Sequence, residues 1–263
     1  MNATLSNNRI GRRILGCGSL RTAYRCRMAE SAEDVKAAQT LRFLVFNVEM
    51  NEGLEQSYVN CRDEDPFDAV CDHLLVEEIA SGDVIGTYRL QSGMQAAAHR
   101  GYYSAQEFDL SPFERVRGEL VELGRACVHI QHRNLIVLGL LWQGIAAYAK
   151  ARGARYLVGC SSLSSVDPLV GATAYQQLQK QHLVQLDLQT TPWPSLACSL
   201  GQWLDTPIKI PKLLNAYLSL GAKICGPPAV DLEFKTIDFL TLLDLQAMPE
   251  AVAGRILGTT PSA

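Results

Sequence analysis

One short run, Glu122-Leu-Gly-Arg125, places opposite charges and a glycine inside an otherwise apolar segment. Residues 119–130 around it alternate in hydrophobicity as a β-strand does. Alternation puts Glu122 and Gly124 on one face and Arg125 on the other, unless a bulge intervenes. A carboxylate is able to act as a general base and a guanidinium to bind an anion, but both are costly to bury unpaired. The run therefore predicts either a structural ion pair or part of an active site.

Four more charged residues lie in segments that precede this strand. Arg42 falls on a predicted helix, Asp65 and Asp68 in a polar loop, and Arg89 at the end of a predicted strand. Singly, each is typical of a solvated surface charge. With the run at 122–125 they supply three arginines and three carboxylates in segments that should adjoin. We expect them to form one polar cluster.

The order of predicted elements indicates the fold class. A Ser-Gly-Asp turn joins two strand-like runs, and apolar helical spacing recurs between strands. This order predicts an α/β fold in which helices flank both faces of a mixed, twisted sheet. Residues 1–23 are interpreted as a flexible leader, 24–184 as the core, and 185–263 as a C-terminal α/β extension packed on it. The predicted elements are strands 24–29, 73–79, 84–91, 119–130, 156–160 and 236–243, and helices 31–48, 135–152, 168–183 and 211–220.

Composition excludes several classes of protein. A net charge of -3 argues against a nucleic-acid partner. The longest apolar run, residues 135–149, is too short to span a bilayer. The polar, arginine-rich start of the chain lacks the apolar stretch of a secretory signal, so a cytoplasmic protein is expected. The eight cysteines form no CxxC pair and are expected to be reduced thiols.

Metal and thiol chemistry are not predicted. His129 and His132 are spaced so that both rings would not share one face of a strand, and no Glu or Cys completes a ligand set. Cys127 and Cys160 have no motif partner and are typical of small core residues. No metal and no bound cofactor are expected.

The order of motifs resembles a known family. The motifs are Leu41-Arg-Phe-Leu-Val-Phe46, Asp65-Pro-Phe-Asp68, Asp72-His-Leu-Leu-Val76, Gly86-Thr-Tyr-Arg-Leu90, Val121-Glu-Leu-Gly-Arg125, Tyr103-Ser-Ala-Gln-Glu-Phe-Asp109, Gly159-Cys-Ser-Ser-Leu163, Ile210-Pro-Lys-Leu-Leu214, Tyr217-Leu-Ser-Leu-Gly-Ala222, Cys225-Gly226 and Asp238-Phe239. Together they resemble the branch of the GNAT fold that contains bacterial ornithine Nα-acyltransferases and long-chain N-acyl amino acid synthases. More remotely, the order of charged residues is similar to acyl-homoserine-lactone synthases. No single motif is diagnostic, and the likeness spans residues 24–243.

The resemblance implies acyl carrier protein as the donor of the acyl group, with its phosphopantetheine thioester as co-substrate. GNAT enzymes that use CoA hold the pyrophosphate with a glycine-rich loop before a helix, whereas residues 129–137 here contain no glycine. Arg133 is placed to meet the single phosphodiester of a carrier-borne arm. An acidic carrier would need a basic docking surface. The candidates are Arg133, Lys150, Arg152 and Arg155, with Lys209 and Lys212 as further ones; the alternative is that they are ordinary solvated charges.

A mechanism of direct attack uses these residues. Glu122 is the candidate base for the acceptor ammonium, and a backbone N–H near Gly124 is the candidate oxyanion donor. Arg89 or Arg125 is expected to hold the acceptor carboxylate. Arg42, Asp65 and Asp68 are expected to order a covering loop. The resemblance also implies an apolar acyl channel between splayed central strands and the helices at 135–148 and 168–183. Transient membrane contact stays open; Trp142, Trp193 and Trp203 are candidates for it, although buried packing is their commoner use.

Two alternatives compete with this interpretation. One is a lactone synthase that uses S-adenosylmethionine, and the other is a non-catalytic module that binds lipid or an acylated carrier. The C-terminal third favours ornithine as acceptor. An ornithine site would need an acidic group for the side-chain ammonium, and Asp63, Glu64, Asp109 and Glu114 are all open candidates.

Overall fold

The computed structural model describes residues 23–248. Within that range one mixed sheet contains eight strands in the order β1-β2-β3-β4-β5-β8-β6, with β7 also paired to β8. This confirms the predicted α/β sheet. The predicted leader lies outside the described range apart from residue 23. The strands are β1 (Tyr24–Met28), β2 (Asp72–Glu78), β3 (Val84–Ser92), β4 (Leu120–Val128), β5 (Tyr156–Leu163), β6 (Lys223–Ile224), β7 (Ala229–Asp231) and β8 (Thr236–Asp244).

Helices cover both faces of the sheet, as predicted. The α-helices are α1 (Ala32–Phe43), α2 (Gly93–Ala98), α3 (Leu135–Ala151), α4 (Pro168–His182) and α5 (Lys212–Ser219). α1 continues into a π-helical turn, Leu44–Glu49, and short 3-10 turns follow at Glu55–Val59, Tyr103–Gln106, Ser111–Glu119, Ile130–His132 and Leu186–Leu188. Ser31 caps α1 by accepting a hydrogen bond from the backbone of Asp34, the N-cap that the sequence predicts.

α3 packs on one face through a stripe at helical spacing. Val137, Leu141, Ile145 and Ala149 recur every fourth residue and are at most 1% exposed. Gly153 follows in the left-handed region, with φ 65°, and ends the helix where its sequence predicts. The opposite face is covered by α1 and by the irregular segments between β3 and β4. The sheet is therefore buried on both sides.

The two central strands separate part-way along their length. β4 and β5 pair in parallel only from Leu120 to Glu122, opposite residues 156–158. Gly159 lies at the fork, where a Cβ atom would stand 2.1 Å from the carbonyl oxygen of Leu123. Beyond that contact β4 pairs with no other described strand on this side, and the gap between β4 and β5 opens.

The C-terminal segment joins the same sheet. β8 pairs antiparallel with β5 along the whole of Tyr156–Leu163. Residues after 184 therefore contribute strands to the sheet in addition to packing on it. β8 lies on the far side of β5 from β4, so it extends the sheet beyond β5 and does not fill the gap between β4 and β5.

β4 contains a bulge beside the fork. Thr87 pairs with Cys127 and Arg89 with Gly124, so two residues of β4 oppose one of β3. Arg125 lies in the bulge with φ 48°, a strained conformation for a residue with a side chain. Simple alternation, which placed Arg125 on the face opposite Glu122, is wrong here because the bulge reverses the side chain.

Candidate active site

A buried network joins arginines from three elements to aspartates of one loop. Arg42 on α1 donates to Asp63 at 3.1 Å and to both oxygens of Asp68, at 2.9 and 2.7 Å. Arg89 on β3 donates to Asp65 at 2.7 Å and to Asp68 at 3.0 Å. Side-chain exposure is 0% for Arg42 and 3% for Arg89. The structure thus gathers the residues that the sequence predicted to adjoin.

Arg125 completes the network from the bulge. Its Nη2 donates to Asp65 at 3.0 Å and to the hydroxyl of Tyr103 at 3.2 Å, and its Nε lies 3.3 Å from Asp63. Neighbouring arginines lower the pKa of the Asp65 and Asp68 carboxyls, against the opposing effect of burial. Paired in this way, the charges fix the loop 60–68 against the sheet. Asp63, which the sequence left as a candidate for the acceptor site, belongs to this network.

Glu122 lies beside the network and accepts two backbone hydrogen bonds. The amides of Tyr103 and Ser104 donate to its two oxygens, each at 2.8 Å. The side chain is buried, at 5% exposure, and burial raises its pKa although the two amides and Arg89 act in the opposite direction. A carboxyl group with a raised pKa is a better base for an ammonium than an exposed one. The same contacts also fix the turn at 103–106.

A large cavity opens at the fork between β4 and β5. Its volume is about 830 Å³, which is in the range of sites that enclose small molecules. Glu122, Gly124, Arg89 and Arg125 line its polar part. At Gly124 an added Cβ would meet no atom within 4 Å, so the backbone there faces open space. Four predicted site residues therefore share one cavity.

The remaining walls of the cavity are mainly apolar. α3 and α5 provide much of this surface, together with side chains from the sheet: Tyr88, Leu123, Leu138, Leu141, Trp142, Leu157, Leu214, Ala216, Tyr217 and Leu243. No residue of α4 lines the cavity in the described part of the chain, so the expectation that residues 168–183 form a wall is wrong. α4 packs instead in a separate apolar cluster with Ile237 and Phe239, to which Leu214 of α5 also belongs. α5 therefore lines the cavity where α4 was expected to.

Exposed apolar side chains surround the entrance. Met50, Leu135 and Leu213 line the cavity and are 44%, 85% and 43% exposed. We call these three residues the rim. Trp142 is 6% exposed and lines the interior, whereas Trp193 and Trp203 are 41% and 53% exposed and lie outside the cavity lining.

In the loop before α3, side chains of the protein itself occupy the groups that could bind a phosphate. Asn134 accepts hydrogen bonds from the backbone amides of Ile136 and Val137, at 2.9 and 3.0 Å. Those amides belong to the helix terminus at which a phosphate group would otherwise bind. Arg133 forms a two-point ion pair with Glu49, at 2.6 and 2.7 Å, and lines the cavity.

The other predicted carrier-binding residues lie elsewhere. Arg152 donates to Asp72 at 2.9 Å and Arg155 pairs with Asp244 at 2.7 Å. Lys150 lies in the last turn of α3 and these two arginines follow it, while Arg133 precedes its N-terminal end. A helix of this length separates them by about 25 Å. The four residues do not form one patch; Lys212 of α5 lines the cavity with Arg133 instead.

The histidine and cysteine candidates make local contacts. His132 Nδ1 lies 3.1 Å from the hydroxyl of Tyr24. Burial raises the pKa of Cys127 to about 12 and that of Cys160 well above its usual value. Because the thiolate is the reactive form, both cysteines are poor nucleophiles.

A second group of acids was not singled out by sequence reasoning. Glu107 and Asp238 are each 5% exposed, and with Cys160 they place ligand atoms within 4.8 Å of one another. Glu107 lies in the motif Tyr103–Asp109 and Asp238 in the motif Asp238-Phe239. Their places in these motifs were the only sequence feature that could have pointed to them. By contrast, Glu64, Asp109 and Glu114 do not line the cavity. They accept hydrogen bonds from Asn60, Ser111 and Arg117, respectively.

Comparison with known proteins identifies relatives of this chain. Residues 41–143 match the family model described as an acetyltransferase (GNAT) domain. An L-ornithine N(alpha)-acyltransferase of Agrobacterium fabrum is 34% identical over 88% of this chain and 83% of its own length. The enzyme of the same name from Brucella abortus is 34% identical over 84% of each chain.

The chain belongs to the L-ornithine N(alpha)-acyltransferase family. The resemblance found in its motifs is thereby confirmed, and the protein is an acyltransferase. The crystal structure of the AHL synthase LasI has a TM-score of 0.52 with this protein at 13% identity, over 91% of this chain and 98% of that one. That likeness shows the shared fold. Among residues 23–248, no helix has both the length and the apolar character needed to cross a bilayer.

Proposed function

We propose that this member of the ornithine acyltransferase family transfers a long acyl chain from the thioester of an acyl carrier protein to the α-amino group of ornithine. The observation that carries the proposal is the cavity at the fork, in which an apolar space meets Glu122, Arg89 and Arg125. An acyl chain fits the apolar part, and an amino acid fits the polar part. The names of the relatives support ornithine as the acceptor.

The acceptor carboxylate is assigned to the arginines. Arg89 Nη2 is buried and has no hydrogen-bond partner among the described residues, whereas Nη1 donates to Asp65 and Asp68. Arg89 and Arg125 both line the cavity, so a carboxylate there gains charge-assisted hydrogen bonds. The aspartates of the network hold the guanidinium groups in place.

Glu122 is assigned the role of base. It takes a proton from the α-ammonium group, and the free amine attacks the thioester carbonyl carbon. A backbone N–H near Gly124 stabilises the oxyanion that forms. When the C–N bond is complete the C–S bond breaks. The nitrogen gives up its second proton to the departing sulfur, the carrier leaves as its free thiol, and Glu122 releases its proton to water. The reaction needs no metal and no cofactor beyond the thioester.

A carrier-borne donor fits the closed loop before α3. Asn134 occupies two amides that would bind the diphosphate of CoA. A phosphopantetheine arm carries one phosphodiester, and Arg133 with Lys212 stands at the cavity to receive it. Lys150, Arg152 and Arg155 are the alternative docking surface, at the far end of α3. The proposal also includes a 3-hydroxyl group on the acyl chain. The names of the relatives do not specify the acyl chain.

Contact with a membrane surface is also part of the proposal. The product combines an acyl chain with an amino acid headgroup, and it leaves past the apolar rim of Met50, Leu135 and Leu213. Exposed apolar groups around an opening are suited to a lipid surface. The rim, more than the three tryptophans, is the feature that supports this contact.

Release of free carrier thiol tests the proposal. The protein is incubated with 3-hydroxyacyl carrier protein alone, with ornithine, or with S-adenosylmethionine. We expect thiol release that depends on ornithine. Release that depends on S-adenosylmethionine would favour lactone synthesis, and stable carrier binding without release would favour a non-catalytic module.

A further inference from the structure

A buried pair of carboxyl groups, Glu107 and Asp238, stands beside the polar end of the cavity, outside the groups used in the proposed mechanism. Asp238 and Cys160 line the cavity, and Glu107 contacts Cys160 from outside the lining. Glu107 lies in the turn after Tyr103–Gln106, and Asp238 lies on β8 facing it. Cys160 of β5 lies between these elements, with its Sγ 3.6 Å from Ser104 Oγ and 3.9 Å from Glu107. Since the Ser104 amide donates to Glu122, these contacts form a continuous wall from the candidate base to the acid pair.

Each acid has an unused oxygen. Asp238 Oδ1 and Glu107 Oε2 are buried and have no hydrogen-bond partner of good geometry among residues 23–248, while the two carboxyl groups lie close enough to share a proton. Asp238 lines the cavity, as does Asp231, a third acid nearby. Buried polar atoms are ordinarily satisfied, and an orphaned carboxylate oxygen is costly. The arrangement lacks a cation.

No arginine or lysine supplies that cation. The arginines of the network are bonded to Asp63, Asp65 and Asp68, and the acid pair forms no ion pair within the described chain. Burial and the nearby charges of Asp238 and Asp231 raise the pKa of Glu107 to about 9, and burial raises that of Asp238 to about 6. Near neutral pH the pair thus carries roughly one negative charge. A single positive charge would match it.

We infer that Glu107 and Asp238 bind the side-chain ammonium group of the amino acid acceptor and so select a diamino acid. The inference rests on the proposed function, and it deepens that function by naming the residues that set acceptor specificity. Arg89 and Arg125 hold the carboxylate, Glu122 meets the α-amine, and the acid pair holds the far end of the side chain. The carboxylate, the α-amine and the side-chain ammonium of the acceptor are thus each bound by a different set of residues.

The spacing of the ligand atoms fits an ammonium group. Hydrogen bonds of about 2.8 Å from one tetrahedral nitrogen place two acceptor oxygens about 4.6 Å apart. The ligand atoms of Glu107, Cys160 and Asp238 lie within 4.8 Å of one another.

Paired substrates test the inference. Ornithine and norvaline share the same carbon chain, but norvaline lacks the side-chain ammonium. We expect wild-type protein to favour ornithine in kcat/KM by at least about a hundredfold, because norvaline leaves the buried acids unpaired. Asp238→Asn and Glu107→Gln should each lower this preference by at least about tenfold, mainly by raising KM for ornithine. Glu114→Gln, which removes an exposed acid, is the matched control and should keep the wild-type ratio.

The outcomes separate this inference from the proposed function. If wild-type protein acylates ornithine and both variants, shown to be folded by thermal melting, keep the ratio, the acid pair is not the ammonium site. Equal use of norvaline by wild-type protein would overturn the inference in the same way. Loss of ornithine transfer on chelation, restored by zinc, would assign the pair to a metal instead. If no amino acid is acylated at all, the proposed function itself fails.

Discussion

Arg42 on α1 and Asp68 in the following loop form a two-point ion pair in the interior, with N–O distances of 2.9 and 2.7 Å. Asp68 also accepts hydrogen bonds from Arg89 and from Gln39, each at 3.0 Å. One carboxylate thus connects α1, β3 and the loop. The loop position, and with it the polar end of the cavity, depends on this contact.

Removal of Arg42 should destabilise the protein strongly. Arg42→Met leaves Asp63 and Asp68 buried with one partner fewer, and the free energy of unfolding should fall by about 3–5 kcal/mol. Urea denaturation measures the change. Arg25→Ala, which breaks a pair whose arginine is 63% exposed, is the control and should cost less than about 1 kcal/mol. Similar losses in both variants would mean that the network is not structurally important.

Substitution of Glu122 tests its role as base. Glu122→Gln should lower kcat by on the order of a hundredfold or more, and Glu119→Gln, a change at the exposed residue just before β4, should not. Since Glu122 also fixes the turn at 103–106, a purely positioning role would lower activity as well. The pH dependence distinguishes the two roles: without a base, residual activity should rise steeply with pH as solution deprotonates the amine. A pH profile parallel to that of wild-type protein would remove Glu122 as the base.

Sequence patterns predicted most of the fold because each long element has its own period and its own cap. Ser31, the Ser-Gly-Asp turn and Gly153 all act where the sequence places them. Patterns could not predict α2 or the short strands β6 and β7, which have too few residues for a period to show. They could not place α5 over the cavity either, because that contact depends on tertiary packing.

The site was predictable where charge had to be compensated in apolar surroundings. Glu122, Arg125, Arg42 and Arg89 stood out for that reason, and the structure places them together. The bulge at Arg125 was open in the sequence, since a glycine beside it allowed either register. Glu107 and Asp238 were missed because each lies alone in the sequence, 131 positions apart, and becomes notable only when β8 pairs with β5.

Glu107 and Asp238 should make the free energy of unfolding fall as the pH rises from about 4.5 to about 9. The pKa of Glu107 is raised from 4.5 to about 9, so the folded protein binds more protons than the unfolded chain between these values. The free energy of unfolding should therefore fall as pH rises through this window. Glu107→Gln should reduce the fall, measured by urea denaturation at several pH values, whereas Glu114→Gln should not. An unchanged slope in Glu107→Gln would contradict the account of this pair.

Filling the apolar part of the cavity should shorten the acyl chains that the enzyme accepts. Ala216 on α5 lines the cavity, and Ala216→Phe introduces a ring into it. Transfer from hexadecanoyl carrier protein should fall by at least about tenfold, while transfer from a butanoyl donor should be retained. Ser219→Phe places the same ring on an exposed position of that helix as control. Equal losses for both donors in Ala216→Phe would mean that the chain lies elsewhere.

The position of the new amide bond tests the account most directly, because it reports how the acceptor is held. Ornithine offers two amines, and the arrangement of Glu122 and the acid pair presents the α-amine to the thioester while retaining the other. After incubation with acyl carrier protein and ornithine, mass spectrometric fragmentation of the product should show acylation at Nα. A product acylated at the side-chain nitrogen, or no acylated ornithine, would contradict the account.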